Sequence, residues 1–137
     1  MVTLIKTLNL MAVTLERWNE KFRVYILFMN IDNIFASVST HTEVFEKLLS
    51  TSHFTLERIV STGQATPSSE WYDQEKEEWV ILLSGSAGLL FETKNTVQVL
   101  HPGDYVHIPA HQRHRVEWTD SSQPTVWLAL HFQNEKV

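Results

Sequence analysis

Two residues in this chain have the type and placement to do chemistry together. Glu78 opens the apolar run Glu78-Trp-Val-Ile-Leu-Leu-Ser-Gly85, and His114 sits in the run Arg113 to Trp118. Strict alternation puts His114 on one face with Val116 and Trp118, and leaves Arg113, Arg115 and Glu117 for water. His114 is therefore expected to point inward. Glu78 shares a face with Val80 and Leu82, but Trp79, Ile81 and Leu83 are equally apolar. A strand apolar on both faces is buried on both. A buried carboxylate is costly unless it is paired or binds a cation. Strands distant in sequence can bring a glutamate oxygen and an imidazole nitrogen together inside a β-barrel, which would make a first-row metal site. The plainer alternatives are a buried Glu–His hydrogen bond, or a Glu78 at a strand mouth in contact with water.

The elements that must position these residues are short strands. Candidates are 54–62, 78–83, 87–92, 96–100, 105–108, 113–118 and 125–132. They are separated by Gly63, Ser84-Gly85, Lys94-Asn95, Pro102-Gly103, Pro109 and Asp120 to Pro124. Many short strands at regular spacing predict a sandwich or barrel. Ahead of them, Asn33 to Ser37 reads as a first strand. Thr40-His-Thr-Glu43 has the capping-box pattern, with Phe45, Leu48 and Leu49 at helical spacing, so a short helix is expected over 42–50. The expected fold class is all-β with one or two short N-terminal helices. At 137 residues one domain is expected, without repeat or low-complexity segment.

Residues 1–30 read differently. Leu8, Leu10, Met11, Leu15 and Trp18 give a rough helical pattern, and 22–29 is an apolar run too short to span a bilayer. The signal-peptide pattern is poor. Three readings stay open: an amphipathic helix packed on the domain or a partner, an over-extended gene start ahead of Met29, or a membrane anchor. The expected organisation is an extension over 1–30 and a barrel domain over 31–137.

Composition excludes several classes. There is no cysteine, so disulfides, thiolate zinc sites and cysteine nucleophiles are out, and a cytoplasmic location fits. Eleven basic against 16 acidic residues, a formal charge of −5, argues against nucleic-acid binding. Arg113-His114-Arg115 is only a weak phosphate patch, with Glu117 close behind. Glu70, Asp73, Glu75, Glu77 and Glu78 surround a single lysine, and a solvated loop is the plain reading for Glu75 and Glu77. No phosphate loop and no Ser-His-Asp arrangement can be argued. His107, His111 and His131 are weaker candidates. His131 is the best of them, since it shares a face with Trp127 and Ala129.

Taken together, several segments resemble the two motifs of the cupin superfamily. They are Gly63-x3-Pro67, Trp71-Tyr-Asp-Gln74, Glu78-x6-Gly85, Pro102-Gly103-Asp104 and Ile108-Pro109-Ala-His111-x2-His114. The resemblance spans about residues 31–133 and is nearest to small stand-alone bacterial cupins of the conserved-barrel type. It implies a double-stranded β-helix, or jelly-roll, barrel with a metal inside and frequent dimerisation. The chain departs from the pattern in two ways. His111 stands where the family usually has glycine, and the usual His-x-His before the glutamate is missing, with no histidine between His53 and His101. Two registers fit. In Tyr72-x-Gln74 the ligands beside Glu78 and His114 are Gln74 and Tyr72; in Trp71-x-Asp73 the ligand is Asp73. The cofactor expected is a divalent metal, Mn, Fe, Zn or Ni, and the oxygen-rich donors also leave Mg open. Trp71, Trp118 and His131 are expected to line the pocket, and Trp71 and Tyr72 to stack on a ligand. The expected function is a metal-dependent enzyme or binder of a small molecule. The alternative is a non-catalytic sensing or structural barrel. The expected partner is a second copy of the chain, with part of its interface around Ile34 and Phe35, and neither nucleic acid nor membrane.

Overall fold

A computed structural model of the chain describes residues 31–38 and 41–133. Eight strands run through them: β1 Val44–Ser50, β2 Phe54–Ser61, β3 Glu77–Ser84, β4 Ala87–Phe91, β5 Gln98–Leu100, β6 Tyr105–Ile108, β7 His114–Thr119 and β8 Thr125–Phe132. They form two antiparallel sheets. One has the order β1-β2-β8-β3-β6 and the other β5-β4-β7. The expected all-β class is what the structure has. The helices expected before residue 31 lie outside the described residues, as do all three readings of that segment. No helix among the described residues is long and apolar enough to cross a membrane.

The alternation that makes the strands also makes the core. Val80 and Leu82 of β3, Trp127 and Ala129 of β8, and Ile108 of β6 meet Ala87 and Leu89 of β4 and Leu100 of β5 between the sheets. Each Val, Leu or Ile side chain among them, fully buried, contributes on the order of 1.5–3 kcal/mol before conformational entropy is subtracted. The turn from β3 to β4 depends on Gly85. Its φ is +77°, and a Cβ there would stand 2.4 Å from Thr125 Oγ1. Any other residue is excluded by both conformation and space.

Two expectations fail at the N-terminal side. The helix expected over 42–50 is strand β1, paired antiparallel to β2 with Val44 opposite Val60 and Lys47 opposite Glu57. Sheet pairing overrides a weak local helical signal. Glu43 closes no capping box and instead accepts a hydrogen bond from Ser61 Oγ at 2.5 Å. The strand expected over 33–37 is a turn. Ala36 N donates to Asn33 O at 2.9 Å and Phe35 N to Asn33 Oδ1 at 2.8 Å, which is the local competition by which Asn favours turns. Arg58, buried under this turn, donates Nε to Ile34 O at 2.7 Å and Nη2 to Ala36 O, and pairs with Glu46 at 2.6 Å.

Candidate functional site

The inner face of the larger sheet, with parts of β4 and β7, lines a cavity of about 900 Å³. Glu78 reaches it from β3, a strand held between β8 and β6, with His131 and Ile108 as its register partners. His114 reaches it from β7. The segment ahead of β3 is laid along β7 by a single bridge: Tyr72 N donates to His114 O at 2.8 Å, and His114 N to Tyr72 O at 3.2 Å. His111 N also donates to Gln74 O at 2.8 Å. Tyr72 and Gln74 line the cavity, as do Trp71 and Glu75, whereas Asp73 does not. Asp73 turns outward and pairs with His111 Nδ1 at 3.1 Å. Of the two registers, the fold therefore brings Gln74, not Asp73, to Glu78.

Three side chains meet at this point. Gln74 Nε2 donates to Glu78 Oε2 at 2.8 Å. His114 Nε2 stands 3.4 Å from the same oxygen, long for a charge-assisted hydrogen bond and better described as an ion pair. Glu78 is 8% exposed and His114 5%. Burial alone would push the Glu78 carboxyl up. The contact and charge of His114, then His131 and Gln74, outweigh it and hold the carboxyl below its ordinary value. For His114 burial works downward, and Glu78 with the Gln112 carbonyl lifts the imidazole above its ordinary value. His114 Nδ1 lies 3.0 Å from Gln112 O. It donates there, which fixes the tautomer and leaves Nε2 bare when the ring is neutral, the arrangement metal-binding histidines use. Burial raises the Tyr72 phenol; a bond with Thr66 works against this, and Glu43, Glu78 and Glu70 add to it. Tyr72 thus stays a neutral phenol, a poor anionic ligand.

The remaining expected residues separate. Trp71 lines the cavity, with Arg115 4.6 Å from its ring centroid. His131 lines it too, with Nε2 3.5 Å from Glu57 Oε2, while its buried Nδ1 has no hydrogen-bond partner. Trp118 does not. β4 and β7 slip register between Gly88 and Leu89, pairing Leu89 with Val116 but Gly88 with Trp118. This bulge breaks the alternation after Val116 and turns Trp118 away. Its ring lies over Gly88, where a Cβ would meet Nε1 at 2.3 Å, and it is 37% exposed. His107 pairs with Glu77 at 2.5 Å, away from the cavity. Sequence reasoning missed Glu43, Phe45, Lys47, Thr55, Glu57 and Ile59, all on the cavity wall. The period-two spacing of Glu43, Phe45 and Lys47 is hidden by the helix reading of 42–50, whereas that of Thr55, Glu57 and Ile59 falls in a segment already expected to be a strand.

Residues 58–131 match the family profile of the cupin domain. The chain belongs to the cupin family. A crystal structure from Ralstonia eutropha JMP134, of a protein provisionally named a mannose-6-phosphate isomerase, is similar at 46% identity and a TM-score of 0.74, over 77% of this chain and 100% of that one. An RmlC-like cupin with a double-stranded β-helix fold from Methanocaldococcus jannaschii shares the fold at 19% identity and a TM-score of 0.57, covering 71% and 85%. A polyketide cyclase from Streptomyces resistomycificus does so at 21% and 0.58, covering 69% and 68%. No curated protein matches. The jelly-roll barrel implied by the resemblance is thus the fold of this cupin.

Cupins often bind a metal. Among the described residues no three His, Cys, Asp or Glu side chains cluster to hold one. The cavity instead offers one carboxylate, one imidazole with a bare Nε2, and one amide. Turning the Gln74 amide by 180° presents Oε1 toward Glu78. This donor set fits a weakly held divalent cation with few protein ligands.

Proposed function

We propose that this cupin binds a small polar molecule in the barrel and acts on it at Glu78 and His114, with a divalent metal, Mn, Fe, Zn or Ni, held by those two residues and Gln74. What supports the reading is the convergence of three donors from separate elements on one buried point, with His114 Nδ1 engaged by a backbone carbonyl. A metal held there would supply Lewis acidity. The Glu78–His114 pair itself can accept and return a proton, the service an isomerase or cyclase needs. The names of the Ralstonia and Streptomyces relatives suggest such reactions. Protein purified without chelator and analysed for metals should carry up to one divalent ion per chain. Added metal should raise the melting temperature, since a ligand specific to the folded state stabilises it by ~2.7 kcal/mol at a hundredfold excess over Kd.

The second reading is a barrel that binds its ligand without metal or turnover. It is favoured by the missing third strong ligand. Little or no bound metal and no thermal shift with any of these ions would decide for it. Homodimerisation and a cytoplasmic location belong to the proposal. Phe35 is an exposed apolar side chain, as are Leu48 and Leu49 on the edge strand β1, and light scattering should return the dimer mass.

A further inference from the structure

Resting on the reading of this cavity as a ligand site, its chemistry limits what the ligand can be. The lining carries the carboxylates of Glu43, Glu57, Glu70, Glu75 and Glu78 against the ammonium groups of Lys47 and Lys76. A divalent ion beside Glu78 leaves that balance negative. Lys47 faces Glu57 across β1 and β2, and Lys76 stands between Glu75 and Glu77.

The usual devices for holding phosphate are arginine forks, helix N-termini and glycine nests. No described arginine is itself part of the lining, although Arg113 and Arg115 lie over the ring of Trp71, which is, and each described arginine is paired with other groups. Arg58 is bound to Ile34, Ala36 and Glu46. Arg113 pairs with Glu92. Arg115 pairs with Glu117 and donates to Ser68 O. The strand framework presents no helix N-terminus to the cavity among the described residues. The left-handed glycines Gly63, Gly85 and Gly103 are not in its lining. Donors are present on the wall in Lys47, Lys76, Tyr72, His114 and His131, but the five carboxylates outnumber the two ammonium groups, so its net character is that of an acceptor.

We propose that the cavity takes a hydrogen-bond-donating ligand without phosphate, bearing hydroxyl or ammonium groups, and that Glu70 and Glu75 at its exposed mouth turn phosphorylated analogues away. The name of the Ralstonia relative points to a phosphorylated sugar; this wall is built against one.

The test is calorimetric titration of the full chain, metal-loaded and chelator-stripped, with two probes that share a ring and differ in charge: mannose 6-phosphate and 2-amino-2-deoxymannose. The wild type should favour the aminosugar, with mannose 6-phosphate weaker than about 1 mM in Kd. The double variant Glu70→Lys/Glu75→Lys changes two exposed side chains, so folding should survive. It should bind mannose 6-phosphate at least about tenfold tighter than the wild type does, inverting the order. A wild type that prefers mannose 6-phosphate overturns the proposal, and so does a variant that leaves the order unchanged. Absence of bound metal would sink the metal-centre reading and leave this order intact.

Discussion

Glu78 and His114 stabilise each other's charged forms, and that makes their contribution depend on pH. A lowered carboxyl contributes stability above its ordinary value of 4.5, which is lost as pH falls through the folded value. A raised imidazole contributes below its ordinary value of 6.5, which is lost as pH rises through the folded value. In chelator-treated protein the melting temperature of His114→Gln should therefore lie furthest below wild type between about pH 4.5 and 6.5, and the gap should narrow above. A gap that widens steadily to pH 9 would contradict the ion pair. The neighbouring pair Gln74 and Asp73 separates ligand from bystander. Gln74→Ala should weaken metal binding roughly tenfold, the scale of losing one supporting ligand interaction, whereas Asp73→Ala should leave it unchanged. Glu78→Ala and His114→Ala should abolish it. Metal titration monitored by intrinsic fluorescence reads all four. The Glu–His convergence was legible in the sequence because Glu78 opens a strand apolar on both faces and alternation puts His114 on the inward face of its own strand, where each needs a partner. The choice of Gln74 over Asp73 was not, because it depends on the bridge between Tyr72 and His114, a contact between segments 42 positions apart.

At the scale of elements, the second half of the chain was readable and the first was not. Strands β2 to β8 fall within a residue or two of their expected positions, since apolar alternation and Gly/Pro turns act locally. β1 was misread as a helix because its Phe45, Leu48 and Leu49 happen to match a helical spacing. Only pairing with β2 reveals that Glu43, Phe45 and Lys47 share a cavity face. Trp118 was misplaced for a related reason: a bulge shifts the face of every later residue, and no residue type announces it. The turn before β7 gives a sharper case. His111 adopts φ +63°, the left-handed region that favours glycine, which is what the cupin pattern carries there. His tolerates this conformation better than most side chains, but a β-branched residue does not. His111→Gly should keep the melting temperature within about 4 °C of wild type, and His111→Val should lower it by more, on the order of 1–2 kcal/mol of strain. Equal melting of the two variants would show that the left-handed backbone at 111 is not under steric load.

For the whole molecule, the question is which part of the chain the barrel needs. Every member of the buried cluster between the sheets comes from Val80 to Ala129, and every cavity-lining residue from Glu43 to His131. Ahead of β1, the turn at 33–36 has an anchoring role through Arg58. A buried guanidinium stripped of those carbonyls would be costly. These facts make the boundary at residue 31 a physical expectation: a chain starting at Ile31 keeps the core, the site and the partners of Arg58. It should melt cooperatively within about 4 °C of the full chain, equivalent to ~1 kcal/mol for a domain of this size. A chain starting at Ser37 should melt well below both, because Arg58 loses the Ile34 and Ala36 carbonyls. Differential scanning calorimetry of the three chains tests the boundary. If the chain from Ile31 loses its cooperative transition, residues 1–30 carry stabilising contacts and the division at residue 31 is wrong.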